Sequence, residues 1–212
     1  KRVAEGTGIA VTFVHATTPF QPMNKTIDVA ALGEAMVEFN QTHPGQPEYL
    51  QGFGGDTSNA VIAAARAGAK TAYRTRVGAD TCGDALIKLW ASGGVDTSFV
   101  ERDTANPTGI YFVTHGRNGH EFSYLRAGSA ASYMTPAWLS GPVAETIKTS
   151  RVLHLSGISL AISLSACDTA FAAMRLARDA GTLISFDSNL RLKLWPLDRA
   201  RACMAQAVAM CD

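Results

Sequence analysis

The sequence predicts a layered α/β fold with a mostly parallel central sheet. Short apolar runs typical of strands alternate along the chain with alanine-rich or amphipathic segments typical of helices, and this alternation is characteristic of parallel α/β sheets. The 212 residues suffice for one large domain, or for one domain with a small accessory. Hydrophobic residues make up 47% of the chain and charged residues 17%, which favours a packed core over disorder.

The first elements follow this alternation with one exception. Residues 27–33 and 71–77 are short apolar runs that predict strands. Between them, the alanine-rich segment 58–67 carries apolar residues on most faces, which indicates a buried helix. The polar segment 37–50 contains two prolines and a glycine, so we expect a loop or hairpin excursion there.

The middle of the chain combines a helix with a predicted hairpin. Residues 81–91 form a helical pattern that ends before two adjacent glycines, and residues 98–102 predict a short strand. Two strand-like runs follow at 108–114 and 121–125. They are joined through Asn118-Gly119, a dipeptide typical of tight hairpin turns. This hairpin and the excursion at 37–50 suggest a small β-rich accessory, such as a lid.

The last third returns to alternating helices and strands. Thr135 is a suitable N-cap and Pro136 a suitable first residue for a helix, and Ser165 with Asp168 resembles a capping box. The predicted elements are a helix opening at 135–136, a strand at 152–155, a helix from Ser165 to Gly181, a strand at 183–186, and a helix from Asp198 to the end of the sequence.

Charge and cysteine content exclude several functional classes. The net charge of +1 argues against nucleic acid or an acidic membrane surface as the main partner, because both require a basic excess. The four cysteines include no C-x-x-C pair, so we expect reduced thiols in a cytoplasmic protein and no cysteine metal site. No apolar run reaches the ~18 residues of a membrane span.

The first 22 residues differ from the rest of the chain. They begin with Lys1 rather than methionine, and the apolar run at 9–14 is short for a signal peptide. We therefore interpret residues 1–22 as a leader or, preferentially, a non-native extension, with the folded part beginning at Met23.

A glycine-rich segment is the strongest candidate ligand site. In open parallel sheets, ligands bind beyond the carboxyl ends of the strands; that rule selects Gly33-Glu34, residues 52–59 and residues 187–191. In the second of these, Gly55 would let the backbone approach a ligand closely, and Asp56 and Asn59 offer groups suited to sugar hydroxyls. The alternative is a tight turn followed by a helix cap.

Two arginines follow predicted strands. Arg126 comes after the second strand of the hairpin, and Arg191 follows the strand at 183–186. Placed near one cleft, two guanidinium groups would suit an anionic substrate, because arginine pairs with carboxylates through two parallel hydrogen bonds. The alternative is two surface arginines with no shared partner.

Six segments in register together resemble the ribokinase-like (PfkB-type) carbohydrate kinases, and within that family most closely the 2-keto-3-deoxygluconate kinases. They are G-F-G-G-D-T-S-N-A, V-G-A-D-T-C-G-D, P-T-G-I-Y, Y-L-R-A-G-S-A, L-H-L-S-G-I-S-L-A and F-D-S-N-L-R-L-K-L-W. The resemblance covers residues 27–212. It implies a central sheet with helices on both faces and a small β-sheet lid from segments near 37–52 and 107–128. A homo-oligomer formed through the lid is plausible by resemblance.

The resemblance also implies a reaction and residue roles. The reaction is transfer of the ATP γ-phosphoryl group to the 6-hydroxyl of 2-keto-3-deoxygluconate, with Mg²⁺ implied by the use of ATP. The implied substrate contacts are Gly55, Asp56 and Asn59 to sugar hydroxyls, Tyr111 and Tyr124 from the lid, and Arg126 and Arg191 to the carboxylate. Asn189 would lie towards the ATP phosphates.

One family signature is missing. The sequence contains no D-T-x-G-A-G-D, the signature whose last aspartate is the family's catalytic base and whose glycines form the anion hole for the γ-phosphate. We therefore assign no catalytic residue within this chain and expect the base to lie beyond Asp212. Residues 23–212 would then be the N-terminal two-thirds of a ribokinase-like domain, inactive in phosphotransfer by themselves. Two alternatives stay open: a non-catalytic module that binds sugar acids, and a related kinase for another sugar.

Overall fold

The computed structural model of the chain describes residues 24–116 and 119–212. The predicted leader, residues 1–22, and Asn118 of the predicted hairpin turn lie outside the described residues. The strands are β1 (Ile27–Leu32), β2 (Met36–Gln41), β3 (Tyr49–Gly54), β4 (Thr71–Arg74), β5 (Arg76–Gly78), β6 (Val95–Asp96), β7 (Glu101–Asp103), β8 (Ile110–Gly116), β9 (Gly119–Leu125), β10 (Ser150–Ser156) and β11 (Leu183–Asp187). The α-helices are α1 (Asp56–Arg66), α2 (Thr81–Ser92), α3 (Gly141–Lys148), α4 (Gly157–Ala161), α5 (Leu164–Asp179) and α6 (Leu197–Val208).

The central sheet confirms the predicted α/β class. Its five strands have the order β11-β10-β1-β4-β6, and every neighbouring pair is parallel. β1 lies in the middle, with Val29 opposite both Val152 and Thr71. The apolar runs that predicted strands therefore form parallel strands, of which β4 is buried along its whole length while the edge strand β11 is largely exposed.

Helices cover both faces of this sheet. Alternate side chains of a strand point to opposite faces, and in β1 Ala30 and Leu32 join one core cluster while Ala31 joins the other. The first cluster contains residues of α3, α4, α5 and α6. The second contains residues of α1 and α2, including the fully buried Trp90, whose indole donates a hydrogen bond to Ser58.

A second sheet stands apart from the first. It has four strands in the order β3-β2-β8-β9, antiparallel except for the parallel pair β2–β8. The excursion predicted near 37–50 forms the β2–β3 hairpin, and the predicted hairpin at 108–125 forms β8 and β9. A lid role and an oligomer built through it stay predictions.

Three element predictions were wrong in detail. The strand predicted over 71–77 is divided at Thr75, whose hydroxyl donates to the Gly33 carbonyl (2.6 Å) and so joins two neighbouring segments. Thr135 and Pro136 open only a single 3₁₀ turn, because the chain leaves helical geometry at Leu139 and α3 begins after Ser140. The short strand expected at 98–102 lies at β7 instead, after a turn in which the Asp96 carboxylate accepts from the Ser98 amide.

The start of α5 also differs from the prediction. Ser163, rather than Ser165, is the N-cap, and its hydroxyl accepts from the amide of Ala166 (2.9 Å). The short helix α4 precedes it and was not predicted. Cys82, Cys167, Cys203 and Cys211 are free cysteines in the structure. Among the helices of the described residues, none combines the length and apolarity required to cross a membrane.

The last helix ends earlier than predicted, and the chain then returns to the central sheet. Helix α6 stops at Val208, whereas the sequence predicted a helix to the end. The Asp212 amide donates to the Ile184 carbonyl (3.2 Å), and the Asp212 carboxylate accepts from the Ile184 amide (2.9 Å). These two hydrogen bonds place Asp212 beside β11.

Candidate functional site

A cavity of about 730 Å³ lies where the carboxyl ends of the central strands meet the second sheet. Its wall is formed by residues that follow β1, β10 and β11, by the start of α1, and by side chains of β8 and β9. This volume is typical of a site for a small molecule. The position agrees with the rule that ligands of open α/β sheets bind beyond the carboxyl ends of the strands.

The structure brings all eight residues singled out from the sequence to this one cavity. They are Gly55, Asp56, Asn59, Tyr111, Tyr124, Arg126, Asn189 and Arg191. Their contacts to a ligand stay predictions. Seven further residues line the same cavity, of which Glu34 and Lys193 are charged.

The Gly55–Asp56 segment is shaped by close backbone packing. Gly55 has φ +133°, and a Cβ at this position would lie 2.8 Å from the carbonyl oxygen of Glu34. A glycine is therefore required here on both conformational and steric grounds. Asp56 opens α1; one carboxylate oxygen accepts from the Thr57 amide (2.8 Å) and the other from the Asn189 side-chain amide (2.7 Å). That second hydrogen bond joins α1 to the loop after β11.

Asn189 holds an uncommon backbone conformation in that loop. Its φ of +29° is in the left-handed region, which asparagine tolerates better than most residues. Its backbone amide donates to the Asp187 carboxylate (3.1 Å), and its side chain is fixed by Asp56. The Asn189 amide group is therefore held towards the cavity by the start of α1.

Arg126 is paired with a buried carboxylate, a feature that the sequence reasoning missed. The side chain of Glu34, which is 1% exposed, accepts a hydrogen bond from Arg126 Nη2 and another from the Ser129 hydroxyl (2.5 Å). The sequence had already selected Gly33-Glu34 as a strand end, and the buried acidic residue was the available signal. Its partner lies 92 positions away and could not be identified from the pattern.

Tyr111 is also held by a carboxylate. Its hydroxyl donates to Glu38 on β2, and burial together with this carboxylate raises the pKa of Tyr111 above its ordinary value. The Tyr111 ring packs directly against the backbone of Gly54. A Cβ at Gly54 would lie only 2.3 Å from the Tyr111 hydroxyl oxygen. Tyr124 stacks on Tyr111 with ring centroids 5.5 Å apart. The second sheet thus presents an aromatic wall to the cavity.

Arg191 and Lys193 lie on the loop after β11. Arg191 Nη1 donates to the carbonyl of Leu190 (3.0 Å), and the amide of Leu194 donates to the Arg191 carbonyl (2.9 Å), which closes a turn. Over residues 24–116 and 119–212, neither cation forms an ion pair with a carboxylate. Lys193 was not singled out from the sequence.

Asp212, the residue beyond which the family resemblance implies a catalytic base, is not part of the cavity wall. Its carboxylate is engaged by the Ile184 amide, so this side chain has a structural contact on the central sheet. A catalytic base beyond Asp212 stays a prediction.

The described part of the chain offers no cluster of three or more histidine, cysteine, aspartate or glutamate side chains suited to a metal ion. Mg²⁺ is commonly held by one or two carboxylates together with the phosphates of a bound nucleotide, so the ion implied by the resemblance would not require such a cluster. What the site does offer is a set of polar groups suited to hydroxyls, an aromatic wall and two cations that form no ion pair in the described chain.

Comparisons with known proteins identify a family for this chain. The family described as "pfkB family carbohydrate kinase" matches residues 26–212. Fructokinase-2 of Solanum lycopersicum is 34% identical over 175 residues, which is 79% of this chain and 52% of that protein. The 2-dehydro-3-deoxygluconokinase of Thermoproteus tenax is 35% identical over 185 residues, which is 83% of this chain and 54% of that protein. The chain thus spans about half the length of these curated relatives.

Solved structures show the same fold. A PfkB protein from Polaromonas sp. JS666 superposes with a TM-score of 0.83 and 32% identity, covering 88% of this chain and 64% of that one. A fructokinase from Xylella fastidiosa with bound ATP superposes with a TM-score of 0.79 and 25% identity, covering 87% and 56% of the two chains.

Proposed function

Since this chain belongs to the pfkB family of carbohydrate kinases, we propose that the protein transfers the γ-phosphoryl group of ATP to the 6-hydroxyl of 2-keto-3-deoxygluconate. In this reaction the hydroxyl loses its proton to the base expected beyond Asp212, its oxygen bonds to the γ-phosphorus, the bond between that phosphorus and the oxygen of the β-phosphate breaks, and ADP leaves. Phosphoryl transfer depends mainly on positioning and electrostatic stabilisation. In this proposal the residues of the chain bind and orient the substrates. None of them is the proton acceptor, because the sequence contains no D-T-x-G-A-G-D.

One observation carries the choice of an acid sugar over a neutral one. Beside groups suited to hydroxyls, the cavity holds two cations, Arg191 and Lys193, without a carboxylate partner in the described chain. Unpaired cations on a cavity wall favour an anionic ligand. A neutral sugar would fill the same volume and leave these charges without a partner.

The proposed roles follow the contacts of each residue. Asp56 and Asn59 bind sugar hydroxyls, and the Gly55 backbone, which has no side chain, lies close to the sugar beside them. Tyr111 and Tyr124 pack against the sugar. Arg126 and Arg191 bind the carboxylate end of the sugar, Arg126 through the donors that Glu34 leaves free. Asn189 lies towards the phosphates of ATP. A bound ATP in the fructokinase of Xylella fastidiosa supports ATP as the phosphoryl donor for this protein as well, with Mg²⁺ as its counter-ion.

A second candidate is a kinase for fructose. Fructokinases are among the relatives, at 34% identity over 79% of the chain, and that identity is close to the 35% identity to the 2-dehydro-3-deoxygluconokinase. A fructokinase would use Asp56 and Asn59 in the same way, but its neutral sugar would offer no charged group to Arg191 and Lys193. A module that binds sugar acids without catalysis is the third candidate.

Calorimetric titration separates the first two candidates. We expect 2-keto-3-deoxygluconate to bind the purified chain at least about tenfold more tightly than fructose, a difference of ~1.4 kcal/mol, and its affinity alone to fall with added salt. Tighter binding of fructose would establish the second candidate. If neither sugar binds, the assignment of the cavity as a sugar-binding site is wrong. Release of ADP by the complete product of the encoding gene, in the presence of the acid sugar, distinguishes a kinase from a binding module.

A further inference from the structure

Five charged side chains line the cavity, and they are unevenly distributed. They are Glu34, Asp56, Arg126, Arg191 and Lys193. Three are cationic and two are anionic, so the wall carries an excess of one positive charge. Where this excess lies depends on which of these groups are already paired.

The Arg126 charge is compensated within the protein. Glu34 is almost completely buried and holds Arg126 Nη2, so the two side chains form a neutral pair at the wall. The Arg126 side chain makes no other hydrogen bond within the described chain, which leaves its remaining guanidinium N–H groups free. Arg126 can therefore donate hydrogen bonds to a ligand, but it adds little net field, because an opposite charge in contact cancels most of it.

Asp56 lies on the side of the cavity that α1 forms. Its carboxylate accepts hydrogen bonds from Thr57 and Asn189 and forms no ion pair within the described residues. The positive surplus is thus confined to the loop after β11, where Arg191 and Lys193 are two positions apart. The Leu194–Arg191 turn holds this loop compact, and Trp195, 4% exposed, anchors its end in the core.

We propose that Lys193, together with Arg191, forms an anion subsite on this loop, and that Lys193 is a specificity-determining residue for an anionic ligand group. The group is a carboxylate or a phosphate: a sugar acid offers the first and a nucleotide the second. Arg191 presents a planar fork of donors, whereas Lys193 supplies a mobile point charge. This inference extends the proposed function. The presence of an anion subsite follows from the cavity charges, whereas the chemical identity of the anion rests on the proposed function.

The test replaces Lys193 by methionine, which keeps most of the side-chain length and removes the charge. Calorimetry on the purified chain compares four ligands: 2-keto-3-deoxygluconate, a non-hydrolysable ATP analogue, inorganic pyrophosphate and fructose. We expect Lys193→Met to weaken at least one of the anionic ligands about tenfold, to reduce the salt dependence of its binding, and to leave fructose within twofold. Lys193→Arg should restore most of the loss.

The matched control is Lys88→Met, an exposed lysine of α2 outside the cavity, which should change none of the four affinities. Loss confined to the sugar acid identifies a carboxylate subsite, and loss confined to the ATP analogue and pyrophosphate identifies a phosphate subsite. Unchanged binding of all anions, or an equal loss for fructose, overturns the proposal. If the wild-type chain fails to bind the sugar acid while Lys193→Met still weakens pyrophosphate, the proposed function fails and the anion subsite stands.

Discussion

Glu34 determines how Arg126 can be used. A carboxylate that is removed from water is stabilised only by close partners, and Glu34 has two, the Arg126 guanidinium and the Ser129 hydroxyl. A Cβ at Gly109 would lie 2.9 Å from the Glu34 carboxylate, so the neighbouring backbone also packs closely against it. The pair fixes one edge of the guanidinium and leaves the other edge for the cavity.

Loss of the Glu34 charge should therefore destabilise the fold. Glu34→Gln leaves Arg126 without its counter-charge, and we expect the free energy of unfolding in urea to fall by about 2–3 kcal/mol, below the range for fully buried pairs because the cavity admits water. In the double variant Glu34→Gln/Arg126→Met the uncompensated charge is absent, so the loss should be smaller than the sum of the two single losses. The exposed pair Glu145–Lys148 provides the control, since Glu145→Gln should change stability by less than about 0.5 kcal/mol. Additive losses at Glu34 and Arg126 would contradict the pairing.

The sequence identified site residues better than it identified their partners. Gly55, Asp56, Asn189 and Arg191 were found because they follow strand ends or open a helix, and such positions can be located from the strand pattern. The partner of Arg126 could not be found in this way, because Glu34 meets it only after β1 and β9 have been placed in different sheets. Lys193 was missed because a lysine indicates an anion-binding site only if no nearby carboxylate pairs with it. Which carboxylates lie nearby, and which are already paired, is known only from the structure.

At the scale of elements, Asp80 connects α2 to the segment that leads into β8. Its carboxylate caps the helix by accepting from the Gly83 amide (2.7 Å) and also accepts from the amide and the hydroxyl of Thr108 (2.8 Å each). Burial alone would raise the pKa of Asp80, but the hydrogen bonds from Thr108 and Gly83 lower it below the ordinary value. The ionised form is thus favoured in the folded protein.

This shift has a defined consequence for acid stability. A carboxyl group whose pKa is lower in the folded state stabilises the fold above its unfolded pKa, near ~3.9, and the stabilisation is lost as the pH falls through the folded pKa. Asp80→Asn should lower the free energy of unfolding at pH 7 by about 1–2 kcal/mol and should make its decline below pH ~4 shallower than in the wild type.

Urea unfolding at a series of pH values measures both effects. Asp179→Asn, at an exposed residue of α5 without a side-chain hydrogen bond in the described residues, is the control and should parallel the wild type. An identical pH profile for Asp80→Asn and the wild type would contradict the assigned hydrogen bonds.

Helix ends were the weakest part of the element prediction. Both Ser163 and Ser165 can cap a helix, and both hydroxyls donate to the carbonyl of Ser132 (2.6 and 3.2 Å), but only the Ser163 hydroxyl also accepts from an amide of the first turn, that of Ala166 (2.9 Å). Thr135 and Pro136 carry a correct local start signal, yet only one turn forms there. A capping residue stabilises the start of a helix only where tertiary packing allows a helix to form. That packing cannot be read from the local sequence.

At the scale of the whole molecule, one contact between neighbouring strand ends supports the cavity. Gly157 follows β10, and a Cβ at this position would lie 2.1 Å from the backbone carbonyl of Ser188 and 2.7 Å from the Met204 methyl group of α6. The loop that carries Asn189, Arg191 and Lys193 therefore packs directly on the start of α4. Although Gly157 does not line the cavity, it sets the position of that loop.

Gly157→Ala should consequently weaken ligand binding from outside the cavity. Alanine is a better helix former than glycine, yet the collision with the Ser188 backbone should lower stability by about 1–3 kcal/mol and weaken binding of 2-keto-3-deoxygluconate several-fold. Thermal unfolding and calorimetry measure the two effects. Gly93→Ala, whose Cβ would lie 3.4 Å or more from its neighbours in the last turn of α2, should leave binding unchanged. Wild-type affinity in Gly157→Ala would show that the loop position does not depend on this contact.

The fold class itself was predictable, because five parallel strands and the helices between them produce a regular alternation of sequence patterns. The second sheet was only suggested, since its strands are half-exposed and β9 is exposed along its whole length. The break between β4 and β5, the start of α5 and the return of Asp212 to β11 depend on hydrogen bonds between distant segments. Those contacts are a property of the assembled molecule.

The hydrogen bond between Asp56 and Asn189 makes the two proposed substrates interdependent. The proposed partner of Asp56 is the sugar and that of Asn189 is the nucleotide, whereas in the structure the Asn189 side-chain amide donates to the Asp56 carboxylate. A sugar hydroxyl that replaced Asn189 as the hydrogen-bond donor to Asp56 would leave the Asn189 amide available to a phosphate oxygen. The ligand that binds second would then not have to break the Asp56–Asn189 hydrogen bond. Thermodynamic reciprocity then requires the sugar to strengthen nucleotide binding by the same factor as the nucleotide strengthens sugar binding.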